Sequence, residues 1–386
     1  MTPNPLIQTK SILADLIAFP TVSADSNLAL IDYVADLLST LGAKVAIHAD
    51  PTGRKANLFA TFGPATDGGL VLSGHSDVVP ITDQNWSTDP FQLTEQGGRL
   101  YGRGACDMKG FIACTLALAP DFAAWPLARP LHIALTYDEE VGCLGGQALA
   151  AALLEHGPRP AVAIIGEPTS MRVIEGHKGC CEYTTRIRGL EGHGSAPDRG
   201  VNAAEAAARY VGKLIEIAAA LRARTPDGPF DPPWTTINTG RIEAGAVHNV
   251  IPGRAEIDWE MRPVNDEDRA FALSEIDTFA ETLTAAMQTV SREAGIARET
   301  IAEVAGLSPT TANEARDIVS ALTGANGADL VAFGTEAGLF QSLGMDCVVC
   351  GPGSIEQAHK PDEFVAVDQL AACLEMLTGL ERYITE

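Results

Sequence analysis

PLHIALTYDEEVG, residues 130–142, joins a short apolar run to three consecutive acidic residues. Residues 131–136 have the apolar character of a buried strand. Asp138, Glu139 and Glu140 follow almost at once, so a strand here presents carboxylates at its carboxyl end. In open α/β sheets that edge is where ligands bind. An isolated acidic turn of this kind is more often a solvated surface turn, so the interpretation depends on the rest of the chain.

Other predicted strands end in residues of the same kind, with a histidine, an aspartate or a glutamate after the apolar run. These residues are His75 and Asp77 after the run at 70–72, Glu167 after that at 161–165, and His359 beyond that at 347–350. The glycine-rich segment GRGACDMKG at 102–110 presents Asp107 before a predicted helix. Histidine nitrogens and carboxylate oxygens together suit zinc. The pattern therefore predicts a metal site.

The spacing of these residues favours separate loops of one α/β sheet. Thirty-two residues separate His75 from Asp107, and 32 again separate Asp107 from Glu139. Each gap suits one strand–helix–strand unit of about 30 residues. The gap from Glu167 to His359 is far longer, at 192 residues. We therefore predict an α/β domain with a second domain inserted between these two positions.

The inserted segment has a different pattern from the rest of the chain. Its predicted strands are 181–188, 235–242, 254–262 and 300–304, and its predicted helices are 202–224 and 266–293. The order β-α-β-β-α-β is that of a ferredoxin-like unit. We predict a domain of residues 1–179 and 306–386 and an inserted domain of residues 180–305, because the chain is too long for one ordinary core.

Composition restricts the class of partner. A formal net charge of −23 disfavours nucleic acids and anionic membranes. No run approaches the roughly 18 consecutive apolar residues of a membrane-spanning helix. The eight cysteines lack zinc-finger spacing and are expected to be reduced thiols, and residues 1–19 lack the pattern of a signal peptide. We expect a cytoplasmic protein that acts on a small molecule.

Five stretches together resemble a known family. SGHSDVVP at 73–80, GRGACDMKG at 102–110 and DEE at 138–140 resemble motifs of the dizinc aminoacylase, carboxypeptidase and succinyl-diaminopimelate desuccinylase superfamily. GTEAG at 334–338 and GPGSIEQAHKPDE at 351–363 resemble its acetylornithine deacetylase branch. The resemblance implies a zinc-peptidase-like catalytic domain with a mixed central sheet flanked by helices. It also implies that the inserted ferredoxin-like α+β domain is a lid and dimerisation domain.

The resemblance implies a dinuclear centre with two Zn²⁺ or Co²⁺ ions per subunit. It implies that Asp107 bridges the two metals, that His75 and Glu167 bind one of them, and that Glu140 and His359 bind the other. It also implies that Glu139 is the general base and that Asp77 is a carboxylate that orients the His75 ring.

Further residues match positions that meet the substrate. The substrate-binding residues implied are Arg262, Asn249, Glu336, Gly351, Gly353 and Ser354. His193, in GLEGHGSAP at 189–197, matches a histidine that supports the oxyanion in the partner subunit's active site, which implies a homodimer through the inserted domain. Simpler interpretations exist for three of them. A loop histidine is commonly just exposed, Arg262 is equally compatible with a surface charge, and loop acids such as Glu336 are usually solvated.

The reaction implied is amide hydrolysis. The favoured substrate is N2-acetyl-L-ornithine, which would give L-ornithine and acetate in arginine biosynthesis. Succinyl-diaminopimelate desuccinylases share the metal ligands, and a general N-acyl-amino-acid hydrolase or dipeptidase is a further alternative. A metal-binding scaffold without catalysis is disfavoured because Glu139 is present. The sequence leaves open the acyl group, the amino acid and the choice between zinc and cobalt.

Overall fold

The computed structural model describes residues 4–385, which form two compact units. The first contains the chain up to Gly176, Leu307–Leu330 and the chain from Thr335 onward. The second contains His177–Gly306 and Val331–Gly334. The predicted inserted segment, 180–305, lies within the second unit.

Runs of strands are interrupted by helices along the chain. The strands are β1 (Lys44–Ala49), β2 (Ala56–Phe62), β3 (Leu70–His75), β4 (Thr94–Gln96), β5 (Arg99–Tyr101), β6 (Leu131–Thr136), β7 (Val162–Ile165), β8 (Ile174–His177), β9 (Cys180–Arg188), β10 (Gly192–His193), β11 (Thr236–Ala244), β12 (Val250–Ile251), β13 (Arg254–Arg262), β14 (Gly295–Val304), β15 (Asp329–Val331), β16 (Asp346–Val349) and β17 (Phe364–Ala366). The helices are α1 (Pro5–Ile17), α2 (Leu28–Thr40), α3 (Lys109–Ala117), α4 (Ala119–Ala124), α5 (Leu144–His156), α6 (Ala203–Arg224), α7 (Asp266–Gln288), α8 (Glu314–Thr323), α9 (Ala337–Ser342), α10 (Val367–Gly379) and α11 (Glu381–Ile384).

A mixed sheet of eight strands has the order β1-β2-β6-β3-β7-β16-β8-β15. The pairs β6–β3, β3–β7 and β7–β16 are parallel, whereas β1–β2, β2–β6 and β16–β8 are antiparallel. β3, β6 and β7 are buried along their whole length, as expected for strands covered on both faces. Since β3, β6, β7 and β16 are parallel, their carboxyl ends meet at one edge of the sheet. The predicted mixed sheet with flanking helices is confirmed.

Helices cover this sheet. α1, α2, α3, α8 and α10 contribute buried side chains to one continuous apolar core with the strands. α5 and α9 pack on each other, α5 against β2 and β6, and α9 against β7 and β16. Among residues 4–385, no helix is both long enough and apolar enough to cross a membrane.

The second unit is built on an antiparallel sheet of four strands in the order β11-β13-β9-β14. With α6 and α7 between the strands, this is the order of a ferredoxin-like unit, as the β-α-β-β-α-β pattern predicted. Alternate residues of β13 are buried, and Tyr183, Trp259 and Tyr210 belong to the apolar core under the helices. The last strand begins at Gly295, earlier than expected, because it pairs with β9 along its whole length.

Candidate metal centre

The five predicted metal ligands all lie in the first unit. His75 ends β3, and Glu140 and Glu167 follow β6 and β7, the two strands paired with β3. Asp107 lies two residues before α3. His359 lies in the loop before β17 and has a φ of 62°. The parallel strands thus place three of the five residues at one sheet edge, and loops supply the other two.

The structure brings these side chains together around Asp107. His75 Nε2 lies 2.9 Å from Asp107 Oδ1 and 3.7 Å from Glu167 Oε1. His359 Nε2 lies 3.0 Å from Glu140 Oε2 and 3.5 Å from Asp107 Oδ2. The two oxygens of Asp107 therefore face different histidines, an arrangement that suits a carboxylate shared by two cations.

Two overlapping sets of side chains are compact enough to hold an ion. One ligand atom each from His75, Glu139 and Glu167 lie within 4.8 Å of one another, and so do single atoms from His75, Asp107 and Glu140. Glu139, the predicted base, is therefore also at ligand distance. The assignment of Glu139 as base and Glu140 as ligand stays a prediction, supported by the short contact of Glu140 with His359.

Asp77 connects three parts of the site. Its Oδ1 accepts the N–H of Glu139 at 3.1 Å, and its Oδ2 accepts the N–H of Glu140 at 3.3 Å and the hydroxyl of Ser23 at 2.7 Å. His75 Nδ1 lies 2.9 Å from the backbone oxygen of Asp77 and 3.6 Å from its carboxylate. The shorter contact with the ring is thus made by the main chain. When Nδ1 donates to it, the lone pair of Nε2 is left for a metal.

Negative charge exceeds positive charge in this buried site. Burial raises the pKa of Glu167 well above its usual range, and the Asp107 carboxylate raises it further. Burial and the same carboxylate also raise the pKa of Glu140. Burial lowers the pKa of His75, but hydrogen bonds to Asp107 and Asp77 outweigh it, so the pKa is raised overall. Buried carboxylates that repel one another are stabilised by cations. The donor set therefore fits divalent metal ions.

Glu139 has the electrostatics of a proton acceptor. Burial raises its pKa well above the usual range, the imidazole of His75 opposes the shift, and the nearby carboxylates of Glu140 and Glu336 add to it. A carboxyl group with a raised pKa can both accept and return a proton near neutral pH. The Cys143 thiol donates to Glu139 Oε1 at 3.5 Å.

Glu336 lies inside the first unit and not at a surface. It is 1% exposed, its Oε2 accepts a hydrogen bond from Thr136 Oγ1 at 2.9 Å, and its Oε1 has no hydrogen-bond partner among the described residues. A Cβ on Gly146 would lie 2.4 Å from that oxygen. Burial raises the pKa of Glu336 to about 7. Glu336 also lies near the proposed base, since its carboxylate raises the pKa of Glu139. Its role in binding substrate stays a prediction.

The loop of Gly351, Gly353 and Ser354 braces the segment after β7. The N–H of Gly351 donates to Thr169 Oγ1 at 3.2 Å, and that of Gly353 donates to Gln369 Oε1 at 3.3 Å. Ser354 pairs with Thr169 in an isolated bridge. Both glycine N–H groups thus have partners already. A substrate would therefore have to compete with these partners for the two N–H groups, and the role of Gly351, Gly353 and Ser354 in binding substrate stays a prediction.

Three predicted residues lie in the second unit. His193 and Asn249 are exposed, and His193 Nδ1 lies 2.7 Å from Ser195 Oγ. Arg262 donates to Glu260 Oε2 from Nε at 3.0 Å and from Nη2 at 2.7 Å. A substrate carboxylate would therefore have to compete with Glu260 for this guanidinium. The roles of these three residues stay predictions.

Sequence reasoning missed three residues that support the site, namely Ser23, Arg103 and Glu363. Arg103 lies in the glycine-rich motif, and Glu363 lies four residues after His359, so their place in two family-like stretches was the available signal. Both are 1% exposed. Charged residues in polar loops are almost never fully buried unless they are paired, so nothing in their own residue type indicated this burial.

These features define a class of metallohydrolase: the chain belongs to the peptidase family M20/M25/M40, whose model matches residues 71–381. The family resemblance predicted from the motifs is confirmed. Among curated proteins, the chain is similar to acetylornithine deacetylases of Myxococcus xanthus and Proteus mirabilis. The Myxococcus xanthus protein is 37% identical over 380 residues, which cover 95% of this chain and 95% of that protein. The Proteus mirabilis protein is 38% identical over 374 residues, which cover 95% of this chain and 94% of that protein.

Solved structures show the same fold at lower identity. A metallo-carboxypeptidase of family M20 from Sulfolobus solfataricus matches with a TM-score of 0.76 at 15% identity, covering 98% of this chain and 99% of that one. A dinuclear metal-binding peptidase of the same family from Bacillus subtilis matches with a TM-score of 0.61 at 16% identity. The match covers 99% of this chain and 98% of that one.

Proposed function

We propose that this protein removes the acetyl group from N2-acetyl-L-ornithine and releases L-ornithine and acetate, a step of arginine biosynthesis. The observation that carries the proposal is the cluster around Asp107, which joins the buried His75, the exposed His359 and several carboxylates. The similarity of nearly the whole chain to acetylornithine deacetylases supports the choice of substrate.

The proposed centre would hold two divalent cations, Zn²⁺ or Co²⁺, and Asp107 would be a ligand of both. His75 and Glu167 would hold one cation, and Glu140 and His359 the other. When bound, the cations supply Lewis-acid chemistry that acidifies a water molecule and polarises the amide carbonyl. The fit rests on the excess of buried carboxylates, which the protein does not itself neutralise.

Glu139 is the proposed general base. It would take a proton from the attacking water and return it to the amine nitrogen as the amide bond breaks. Its raised pKa favours both steps. Asp77 positions it through the hydrogen bond from the Glu139 N–H.

The inserted unit is the proposed lid and dimerisation domain. In this proposal, His193 stabilises the oxyanion in the partner subunit's site, and Arg262 and Asn249 receive the substrate carboxylate. The exposed position of His193 supports a role outside its own chain. All eight cysteines are free thiols, which fits the reducing cytoplasm as the proposed compartment.

Product analysis tests the substrate. The protein loaded with Zn²⁺ or Co²⁺ should release acetate from N2-acetyl-L-ornithine faster than it releases succinate from N-succinyl-diaminopimelate or cleaves a dipeptide. Metal-free protein and Glu139→Gln serve as controls for contaminating hydrolase. Preferential release of succinate would assign a desuccinylase, and preferential cleavage of dipeptides would assign a peptidase.

A further inference from the structure

A buried ion pair joins the two loops that carry Asp107 and His359. Glu363 and Arg103 are each 1% exposed, and Arg103 Nη1 donates to Glu363 Oε2 at 2.8 Å. Neither residue is one of the proposed ligands. Arg103 lies four residues before Asp107, and Glu363 lies four residues after His359. Each partner of the ion pair therefore belongs to the loop of one ligand.

Glu363 holds the backbone of the Asp107 loop. Its Oε1 accepts the N–H groups of Cys106 at 2.8 Å and Asp107 at 3.0 Å, and its Oε2 accepts the N–H of Gly104 at 2.9 Å. With Arg103, the carboxylate has four donors. Hydrogen bonds to an ionised acceptor are stronger than those between neutral groups. These bonds set the orientation of the peptide that carries the Asp107 side chain.

Arg103 reaches the His359 loop. Its Nη2 donates to Gln84 Oε1, and Gln84 Nε2 donates in turn to the His359 carbonyl at 3.0 Å. Its Nη1 also donates to the Lys360 carbonyl at 3.4 Å. The His359 side chain is 54% exposed, and its φ of 62° is uncommon for a residue other than glycine. Because so much of this side chain lies outside the packed core, backbone contacts carry much of its placement.

We propose that Glu363 and Arg103 are positioning residues that hold Asp107 and His359 in place for two cations. The inference rests on the proposed metal centre. Glu363 acts on Asp107, which both cation sites share, so its loss weakens both. Arg103 acts through Gln84 on His359, so loss of that link weakens only the site that contains His359.

Co²⁺ binding to metal-free protein tests this without turnover, by calorimetric titration and by the visible absorption of bound cobalt. In Glu363→Gln, one carboxylate oxygen becomes an NH₂ group that faces N–H donors and can accept none of them. Groups that hold metal ligands typically contribute about 10–100-fold to metal affinity, and we expect a loss of that size at both sites. Wild-type affinity at both sites in the folded variant would overturn the proposal.

Arg103→Lys is the second variant. Lysine keeps a positive charge beside Glu363 but lacks the second N–H group of the guanidinium fork that reaches Gln84. Only the link to His359 is therefore lost. One site should weaken while the other keeps its affinity. If Glu363→Gln does not fold, this variant decides the question, and unchanged affinity at both sites would refute the inference.

Asp268→Asn is a matched control in the second unit. Asp268 is likewise buried, and it accepts hydrogen bonds from Arg224 Nε at 3.0 Å and Thr235 Oγ1 at 2.7 Å. Its replacement should lower Tm and leave Co²⁺ affinity unchanged. An equal loss of affinity would mean that general loosening weakens metal binding, and the inference would fall.

His359→Ala separates failure of the inference from failure of the proposed centre. Removing a ligand should abolish one Co²⁺ site. If this variant binds two Co²⁺ ions as tightly as the wild type does, or if the wild type binds none, the proposed centre is wrong, and the positioning role is wrong with it.

Discussion

The two adjacent glutamates show how one backbone segment can carry two different roles. The N–H groups of Glu139 and Glu140 both donate to the Asp77 carboxylate, so these two hydrogen bonds fix the backbone of the segment. The Glu140 carboxylate approaches His359, whereas the Glu139 carboxylate accepts from the Cys143 thiol and faces His75 and Glu167. Side-chain direction, and not position in the sequence, distinguishes the proposed ligand from the proposed base.

Glu139→Gln should retain metal and lose activity. The amide keeps the shape of the side chain but cannot accept the proton, so kcat should fall by at least ~10²-fold, the usual contribution of acid–base catalysis. Glu140→Gln should lower metal content instead. Metal analysis of both purified proteins, alongside acetate release, checks the assignment. Metal loss in Glu139→Gln with metal retained in Glu140→Gln would mean that the two roles are reversed.

His132 should make stability depend on pH. It is buried against Phe59, its Nδ1 contacts Thr61 Oγ1 at 2.9 Å, and burial lowers its pKa to about 4. The unfolded chain binds a proton on histidine below about pH 6.5, whereas the folded protein keeps His132 neutral. The contribution of His132 to the free energy of unfolding is therefore lost as pH falls from about 6.5 toward 4. At about pH 5 the loss from this group is about 2 kcal/mol.

Denaturant unfolding of metal-free wild-type and His132→Gln proteins measures that contribution. Between about pH 7.5 and pH 5, the variant should lose about 2 kcal/mol less than the wild type. Glutamine can still hydrogen-bond to Thr61 but does not titrate in this range. Equal losses in the two proteins would show that His132 is not the group responsible.

Parallel strands and the helices behind them place the ligands with little free space. Gly166 lies between the end of β7 and Glu167, and a Cβ on it would lie 1.9 Å from Cγ of Phe111 on α3. Phe111 is itself 1% exposed and follows Asp107 by four residues. The packing of Phe111 against Gly166 therefore sets the distance between two loops that each carry a proposed ligand.

Gly166→Ala should destabilise the protein and weaken metal binding. Overpacking of a filled core costs about 1–3 kcal/mol, and either Glu167 or the start of α3 must move. Gly212→Ala is the matched control, since its Cβ meets no atom within 4 Å in α6, and alanine in a helix interior stabilises by up to ~1 kcal/mol relative to glycine. Denaturant unfolding and Co²⁺ titration of both variants check the contrast. A Gly166→Ala protein as stable as the wild type would refute it.

The residues of the proposed metal centre and the histidine proposed to stabilise the oxyanion lie in different units. All five proposed ligands and Glu139 lie in the first unit, whereas His193 lies in the second, on an exposed strand end. If His193 serves the partner subunit, each active site is built from two chains. A two-fold dimer places the same surface of both copies in contact, so each chain would both give and receive a histidine.

Mixed dimers test that arrangement. His193→Ala and Glu139→Gln proteins should each be nearly inactive. After exchange of subunits in an equal mixture, about half of the dimers are heterodimers with one whole site each, which restores about a quarter of wild-type activity. Native mass spectrometry confirms that heterodimers formed. Heterodimers without recovered activity would place His193 in its own chain's site or outside catalysis.

Local sequence patterns were sufficient for much of the fold, and the resemblance of the motifs to a known family supplied the proposed ligands. An apolar run followed by a carboxylate or histidine marks a buried strand and its carboxyl end, because both features depend only on neighbouring residues. The same reasoning located the β-α-β-β-α-β order of the second unit. Parallel pairing then brought the ends of β3, β6 and β7 together at one sheet edge, as the repeated pattern predicted.

Tertiary packing alone determined which polar groups already have hydrogen-bond partners within the protein. Glu363 meets the N–H of Cys106 across 257 positions of the sequence, and Glu336 meets Thr136 across 200. The N–H of Gly351 is taken by Thr169, which lies 182 positions away. A sequence shows that a side chain can donate or accept, but hydrogen bonds in a buried site depend on which distant segments pack together. For that reason a loop acid expected at the substrate proved to be buried, and two loop residues without an assigned role proved to join the proposed ligands.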